Sequence, residues 1–179
     1  RAAVAPLAYR RRAFPWREQA HPLAHRQEPA VDGSSIFRSP AAGALLALVD
    51  HHVVQGRIIF PAVAFIEMAR AAVAEAAALN GVVFVQPLAA EAPTLLVECA
   101  VRDGRFEVRS GAPESLPSEA VVHCSGGVAT AADAKVVEHE WVRRRSRTCA
   151  AVVGALYDGF DAAGLQYGPR YRTLARVWE

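Results

Sequence analysis

Two adjacent histidines, His51 and His52, precede a glycine, a run of branched apolar residues, and a proline that opens a long alanine-rich stretch. His52 lies four residues before Gly56 and nine before Pro61, giving the spacing His-x-x-x-Gly-x-x-x-x-Pro. Imidazole titrates near neutral pH, so a histidine held in a mostly apolar pocket can take up and return a proton. The glycine lets backbone come close to a ligand. The free N–H groups at a helix start can hold a carbonyl oxygen that is gaining negative charge. The same residues also suit a plainer role, since a histidine near an apolar strand is commonly a hydrogen-bonded part of the scaffold.

The elements that would position this chemistry follow from composition. Arg57 to Phe60 has the branched and aromatic character of a packed strand. Pro61 ends the ladder and suits the first turn of a helix, where its missing N–H has no partner to lose. From Ala62 to about Leu79 nearly every residue is a strong helix former, with Asn80-Gly81 as the stop. Only Glu67, Arg70 and Glu75 are charged along it, so the helix is expected to be buried nearly all round. Neighbours on an extended segment point to opposite sides, so only one of the two histidines can face the pocket.

The remainder reads mostly as strands and turns. Asp32-Gly33 marks a hairpin turn before a short strand at Ser35 to Arg38. Ala44 to Val49 fits strand or helix by periodicity. Val82 to Val85 is a predicted strand. Thr94 to Arg102 alternates as a half-buried strand, Asp103-Gly104 is the strongest hairpin signal, and Arg105 to Ser110 returns with Phe106 and Val108 on one face. After a loop at Pro113 to Ser118, Val121 to Val128 is a strand in which His123 reads as structural. Ala150 to Ala163 repeats its apolar residues at three and four, a helix capped by Gly164. Tyr167-Gly168-Pro169 is a rigid turn before a strand at Thr173 to Trp178. Tyr167 is either a turn aromatic or part of the site wall.

With 179 residues, 53% of them hydrophobic, the chain can bury the core of an ordinary domain. Its net charge is +2 and its arginines are scattered, apart from Arg10 to Arg12 and Arg143 to Arg145, which argues against a nucleic-acid partner. No run reaches the eighteen or so apolar residues of a membrane span, and no signal-peptide pattern opens the chain, so a cytoplasmic protein is expected. Cys99, Cys124 and Cys149 are odd in number and widely spaced, fitting neither a disulfide framework nor a metal site. The chain begins at Arg1 without a methionine, as an excised piece of a longer polypeptide would.

Together, the His52 spacing and the helix segment Phe65-Ile66-Glu67-Met68-Ala69 resemble the dehydratase domain of modular type I polyketide synthases. Two further motifs of that family are matched by Gly164-Leu165-Gln166-Tyr167-Gly168-Pro169-Arg170-Tyr171 and by His21-Pro22-Leu23, and Tyr9 to Trp16 resembles the preceding linker, with Phe14 and Trp16 as anchors. The chain departs from the pattern at Ala62, where a glycine is usual, at Ala24-His25, and in its doubled histidine. The distance to Gly56 and Pro61 selects His52, whereas the family's Asp-His dipeptide selects His51. His52 is the predicted base and His51 the runner-up.

The resemblance implies an α+β hotdog fold, here the first half of a double hotdog in which an antiparallel sheet wraps a long central helix. Within that pattern, the place of Ala44 to Val49 after a glycine favours an extended segment. The implied organisation is a linker at 1–20, a first hotdog at 21–135, an inter-hotdog linker at 136–149 and the start of a second hotdog at 150–179. It implies a hydro-lyase that eliminates water from a β-hydroxyacyl thioester on an acyl carrier protein, giving an α,β-unsaturated thioester. Gly56, Pro61, Ala62, Tyr167, Gly168 and Pro169 would line the substrate. No metal or cofactor is implied beyond the phosphopantetheine arm of the carrier. Partners would be that carrier, the remaining domains of a synthase and a possible second copy. The family's second catalytic residue, an aspartate, is expected after Glu179; Asp158 and Asp161 precede Tyr167 and do not match it. The alternatives are a cyclising relative, product-template or pyran-forming, and a non-catalytic dehydratase-like domain.

Overall fold

The computed structural model describes residues 21–28, 33–73, 77–92, 94–114, 119–130 and 150–178. The upstream linker with Phe14 and Trp16, Asp32, most of the loop after Glu114 and the 136–149 linker lie outside them. In chain order the elements are β1 (Arg26–Glu28), β2 (Ser35–Pro40), α1 (Gly43–Val49), β3 (His52–Val54), β4 (Arg57–Ile58), α2 (Ala62–Ala72), β5 (Ala77–Phe84), β6 (Leu96–Arg102) and β7 (Arg105–Gly111). They continue with β8 (Val121–Thr130), β9 (Ala150–Ala151), α3 (Val153–Ala162), β10 (Leu165–Tyr167) and β11 (Val177–Trp178).

The main sheet is antiparallel throughout, in the order β1-β2-β6-β7-β8-β5. Strand alternation puts Phe37, Cys99, Val108 and Cys124 opposite one another across β2, β6, β7 and β8, and all four are buried. Helix α2 packs on that face through Ala64, Phe65, Met68, Ala69 and Ala72, so the sheet holds α2 as a hotdog does. The opposite face carries Arg38, Glu98 and Arg109 in one cross-strand row. Glu98 is buried there and pairs with both guanidiniums. A register shift between Val108 and Arg109 leaves His123 as the extra residue of a bulge in β8, which turns it inward beside Cys124. Its ring then donates from Nδ1 to the Gln86 carbonyl and accepts the Ser110 hydroxyl at Nε2, 2.8 Å away, as a structural histidine would.

The Asp103-Gly104 hairpin forms as expected, both residues having positive φ. Four expectations change. The alanine-rich helix stops at Ala72: Val73 is extended, and Ala77 to Leu79 pair with Val128 to Thr130 instead, so ladder bonds at the sheet edge override helix propensity. Nor is α2 buried all round, because Ala62, Val63, Glu67 and Arg70 face outward. Residues 43–49 form a helix, since Leu45 and Val49, one turn apart, are both buried on one side. Near the C-terminal end only Val177 and Trp178 are strand, paired with Ala150 and Ala151, and this pairing takes those alanines out of the helix.

Candidate active site around His51 and His52

The histidines sit on a small sheet assembled from distant parts of the chain. β3 and β4 form a hairpin whose two turn residues, Gln55 and Gly56, both have positive φ, so Gly56 serves the tight turn and is exposed. β10 adds to the other side of β3, with Tyr167 opposite His52. The pairing continues past the strand ends: the Gln55 N–H donates to the Gly164 carbonyl and the Gly56 N–H to Gln166 Oε1, each at 2.7 Å. A Pro169–Tyr171 turn of 3-10 helix follows and folds back over the histidines.

The hydrogen-bond partners assign a tautomer to each neutral imidazole. His52 Nδ1 lies 2.7 Å from the Ile59 carbonyl, which can only accept, so Nδ1 carries the proton and Nε2 keeps its lone pair in the neutral ring. His51 Nδ1 is 3.2 Å from the Arg170 N–H, which can only donate, so its lone pair is used and its proton sits on Nε2. The His51 carbonyl also accepts the Gly168 N–H at 2.9 Å. Of the two, only His52 therefore offers a ring lone pair with no partner among the described residues. Both rings are half-buried.

Aromatic packing fixes the His52 ring. Tyr167 lies with its centroid 5.4 Å away at 29°, and Tyr171 at 5.2 Å and 50°. The Tyr171 hydroxyl donates to the Leu48 carbonyl at the end of α1. Burial, and then the Asp50 charge, push that phenol above the usual tyrosine range. Gly168 packs against the other histidine: a methyl there would stand 2.7 Å from His51 Cγ. Pro61 is buried before α2, and its carbonyl takes the Ala64 N–H at 2.9 Å. The N–H groups of Ala62 and Val63 are left without an intrahelical partner, as at any helix start. The arrangement thus joins His51, His52, Gly56, Tyr167, Gly168 and Pro169 in one unit, with Pro61 and Ala62 following β4 at the start of α2.

Sequence reasoning passed over Ile59, Gln166 and Arg170, whose contacts run through backbone atoms or across more than a hundred residues. A cleft of about 630 Å³, lined by His25, Arg26, Glu28, Arg38, Pro40, Leu96 and Pro113, includes neither His51 nor His52. Among the described residues no group of three or more His, Cys, Asp or Glu is placed to hold a metal, and no helix is long and apolar enough to cross a membrane. Asp158 and Asp161 are exposed on α3.

The family pattern described as polyketide synthase dehydratase domain matches residues 21–111. The chain is 28% identical over 174 residues to polyketide synthase PksN of Bacillus subtilis, and 32% identical over 190 residues to polyketide synthase ThaG of Burkholderia thailandensis. Those alignments cover 88% and 97% of this chain but 3% of each relative. Among solved structures, the dehydratase domain from the CurK module of curacin polyketide synthase superposes with a TM-score of 0.73 at 18% identity, covering 89% of this chain and 60% of that one. Two further CurK dehydratase structures are of inactive variants, one with a histidine replaced by phenylalanine and one with an aspartate replaced by asparagine. The chain thus spans a small part of its curated relatives and under two thirds of the solved dehydratase chain.

Proposed function

The chain belongs to the polyketide synthase dehydratase domain family, and from that premise we propose that it takes part in removing water from a β-hydroxyacyl thioester, with His52 as the base. His52 Nε2 takes the proton α to the thioester carbonyl. The electron pair of that C–H bond becomes the new double bond, and the β C–O bond breaks. The departing hydroxyl receives a proton from an acid that the exposed Asp158 and Asp161 do not supply; the aspartate implied by the family is that donor. Water leaves, and only protons have been transferred, so the scheme calls on no metal or redox cofactor.

The observation that carries this reading is the Nδ1 bond from His52 to the Ile59 carbonyl, which leaves Nε2 free to accept a proton while the His51 lone pair is occupied. The inactive histidine variant of the CurK dehydratase is consistent with a histidine in that role. The N–H groups of Ala62 and Val63 would polarise the thioester carbonyl. Tyr167, Gly168 and Pro169 would form the wall beside the reacting carbons, with Gly56 setting the hairpin. In this reading the substrate arrives on the phosphopantetheine of an acyl carrier protein, in the cytoplasm, among the other domains of a synthase and with a possible second copy.

The test is turnover of a simple β-hydroxyacyl thioester by the intact protein. Replacing His52 with Ala is expected to lower it by about 10²–10⁴-fold, the usual worth of general acid–base catalysis. Unchanged turnover in that variant overturns the base assignment, and a wild-type protein that folds but never dehydrates favours a scaffold.

A further inference from the structure

Arg170 occupies the variable position within Tyr167-Gly168-Pro169-x-Tyr171, and it contacts three parts of the site at once. Its backbone N–H bonds to His51 Nδ1, and its guanidinium donates to the Ala47 carbonyl at the end of α1 and lies 3.9 Å from Asp50 Oδ1. That carboxylate oxygen is buried and has no hydrogen-bond partner among the described residues. One residue thus joins these parts: its backbone reaches His51, and its side chain ties the 168–171 turn, which carries Tyr171 onto the His52 ring, to Ala47 and Asp50 at the end of α1.

The ion pair itself is a weak source of stability. The side chains of Arg170 and Asp50 are 61% and 38% exposed, and pairs so open to solvent contribute little net free energy. Position is a different matter, because small displacements of a reacting group are costly. We propose that Arg170 is a positioning residue for His52: seated on the Ala47 carbonyl and facing Asp50, it holds the 168–171 turn against α1 and so keeps both imidazoles in their bonded orientations. The consequence for turnover rests on the dehydratase reading; the clamp itself does not.

The experiment compares wild type with Arg170→Gln and Arg170→Lys. In the whole chain labelled with ¹⁵N in its histidines, the wild type should show His52 protonated at Nδ1 and His51 at Nε2. Arg170→Gln should average the two nitrogens of His51, and Arg170→Lys should restore the distinction. This reading needs no activity, so it stands even if the protein proves not to be a dehydratase. In the turnover assay, Arg170→Gln should lower kcat by about 10-fold or more with KM nearly unchanged. Arg170→Lys should restore kcat. If Arg170→Gln fails to fold, the Lys variant decides: two ordered, distinct imidazoles support the clamp, and averaged ones overturn it. Wild-type tautomers and an unchanged kcat in a folded Arg170→Gln protein overturn it as well.

Discussion

His52 and Ile59 are bonded to each other twice: the imidazole Nδ1 donates to the Ile59 carbonyl at 2.7 Å, and the Ile59 N–H donates to the His52 carbonyl at 3.1 Å. A ladder bond and a side-chain bond between the same two residues tie ring orientation to strand pairing. The β3–β4 hairpin therefore specifies a tautomer as well as a shape.

That coupling predicts opposite outcomes for the two neighbouring histidines. His52→Gln removes the free lone pair and should abolish nearly all dehydration, whereas His51→Gln should retain most of it, losing about 10-fold or less through a loosened turn. Mass-spectrometric counting of dehydrated thioester under single-turnover conditions measures both. Equal losses in the two variants contradict the assignment.

Gly168 is needed for room rather than for backbone freedom. Its φ of −73° and ψ of 173° suit any residue, but an added methyl would stand 2.7 Å from His51 Cγ and 2.9 Å from its Cβ. Those atoms lie at the root of the ring and cannot swing aside. Gly168→Ala should cost about 1–3 kcal/mol, as overpacking does, and should lower turnover through the displaced histidine. Chemical denaturation beside the dehydration assay checks both effects; an alanine variant of full activity and stability contradicts this account of the glycine.

The proximity of histidines, glycine and proline was legible because spacing along a hairpin and into a helix is local information. The hairpin at Asp103-Gly104, the inward Phe106 and Val108, and the structural His123 were legible for the same reason. The third strand of the site was not, since Leu165 to Tyr167 meet Val54 to His52 only in the folded chain. Arg170 left no signal because its contacts are to a ring, a carbonyl and a carboxylate more than a hundred residues away. Ala77 to Leu79 misled, as alanine and leucine favour helix in isolation, and only a partner strand reverses that preference.

The outer face of the sheet is predicted to depend on one carboxylate. The Glu98 side chain is 10% exposed and lies between Arg109, 17% exposed, and Arg38, 37% exposed. Its removal leaves two guanidiniums facing each other without a counter-charge. Breaking a buried pair typically costs about 3–5 kcal/mol, and Arg38's access to water places Glu98→Ala nearer 2–3 kcal/mol. A lower urea midpoint at unchanged slope records the loss. The double replacement of Glu98 and Arg109 by apolar residues of similar size should recover part of it.

His123 supplies the pH dependence. Burial pushes its pKa below the ordinary histidine value of 6.5, outweighing the backbone carbonyls of Gln86 and Pro87 that favour the charged ring. The folded protein therefore binds this proton less readily than the unfolded chain does. Stability from His123 is complete above about pH 6.5 and declines as pH falls towards the depressed folded value, because the unfolded state gains a proton that the native ring resists. Protonation would also turn the Nε2 acceptor into a donor and cost Ser110 the partner for its hydroxyl proton. Thermal melting from pH 7.5 to 5 should show a fall in Tm that is shallower in His123→Gln, which has no proton to gain. An identical slope in wild type and variant assigns the acid sensitivity to other groups.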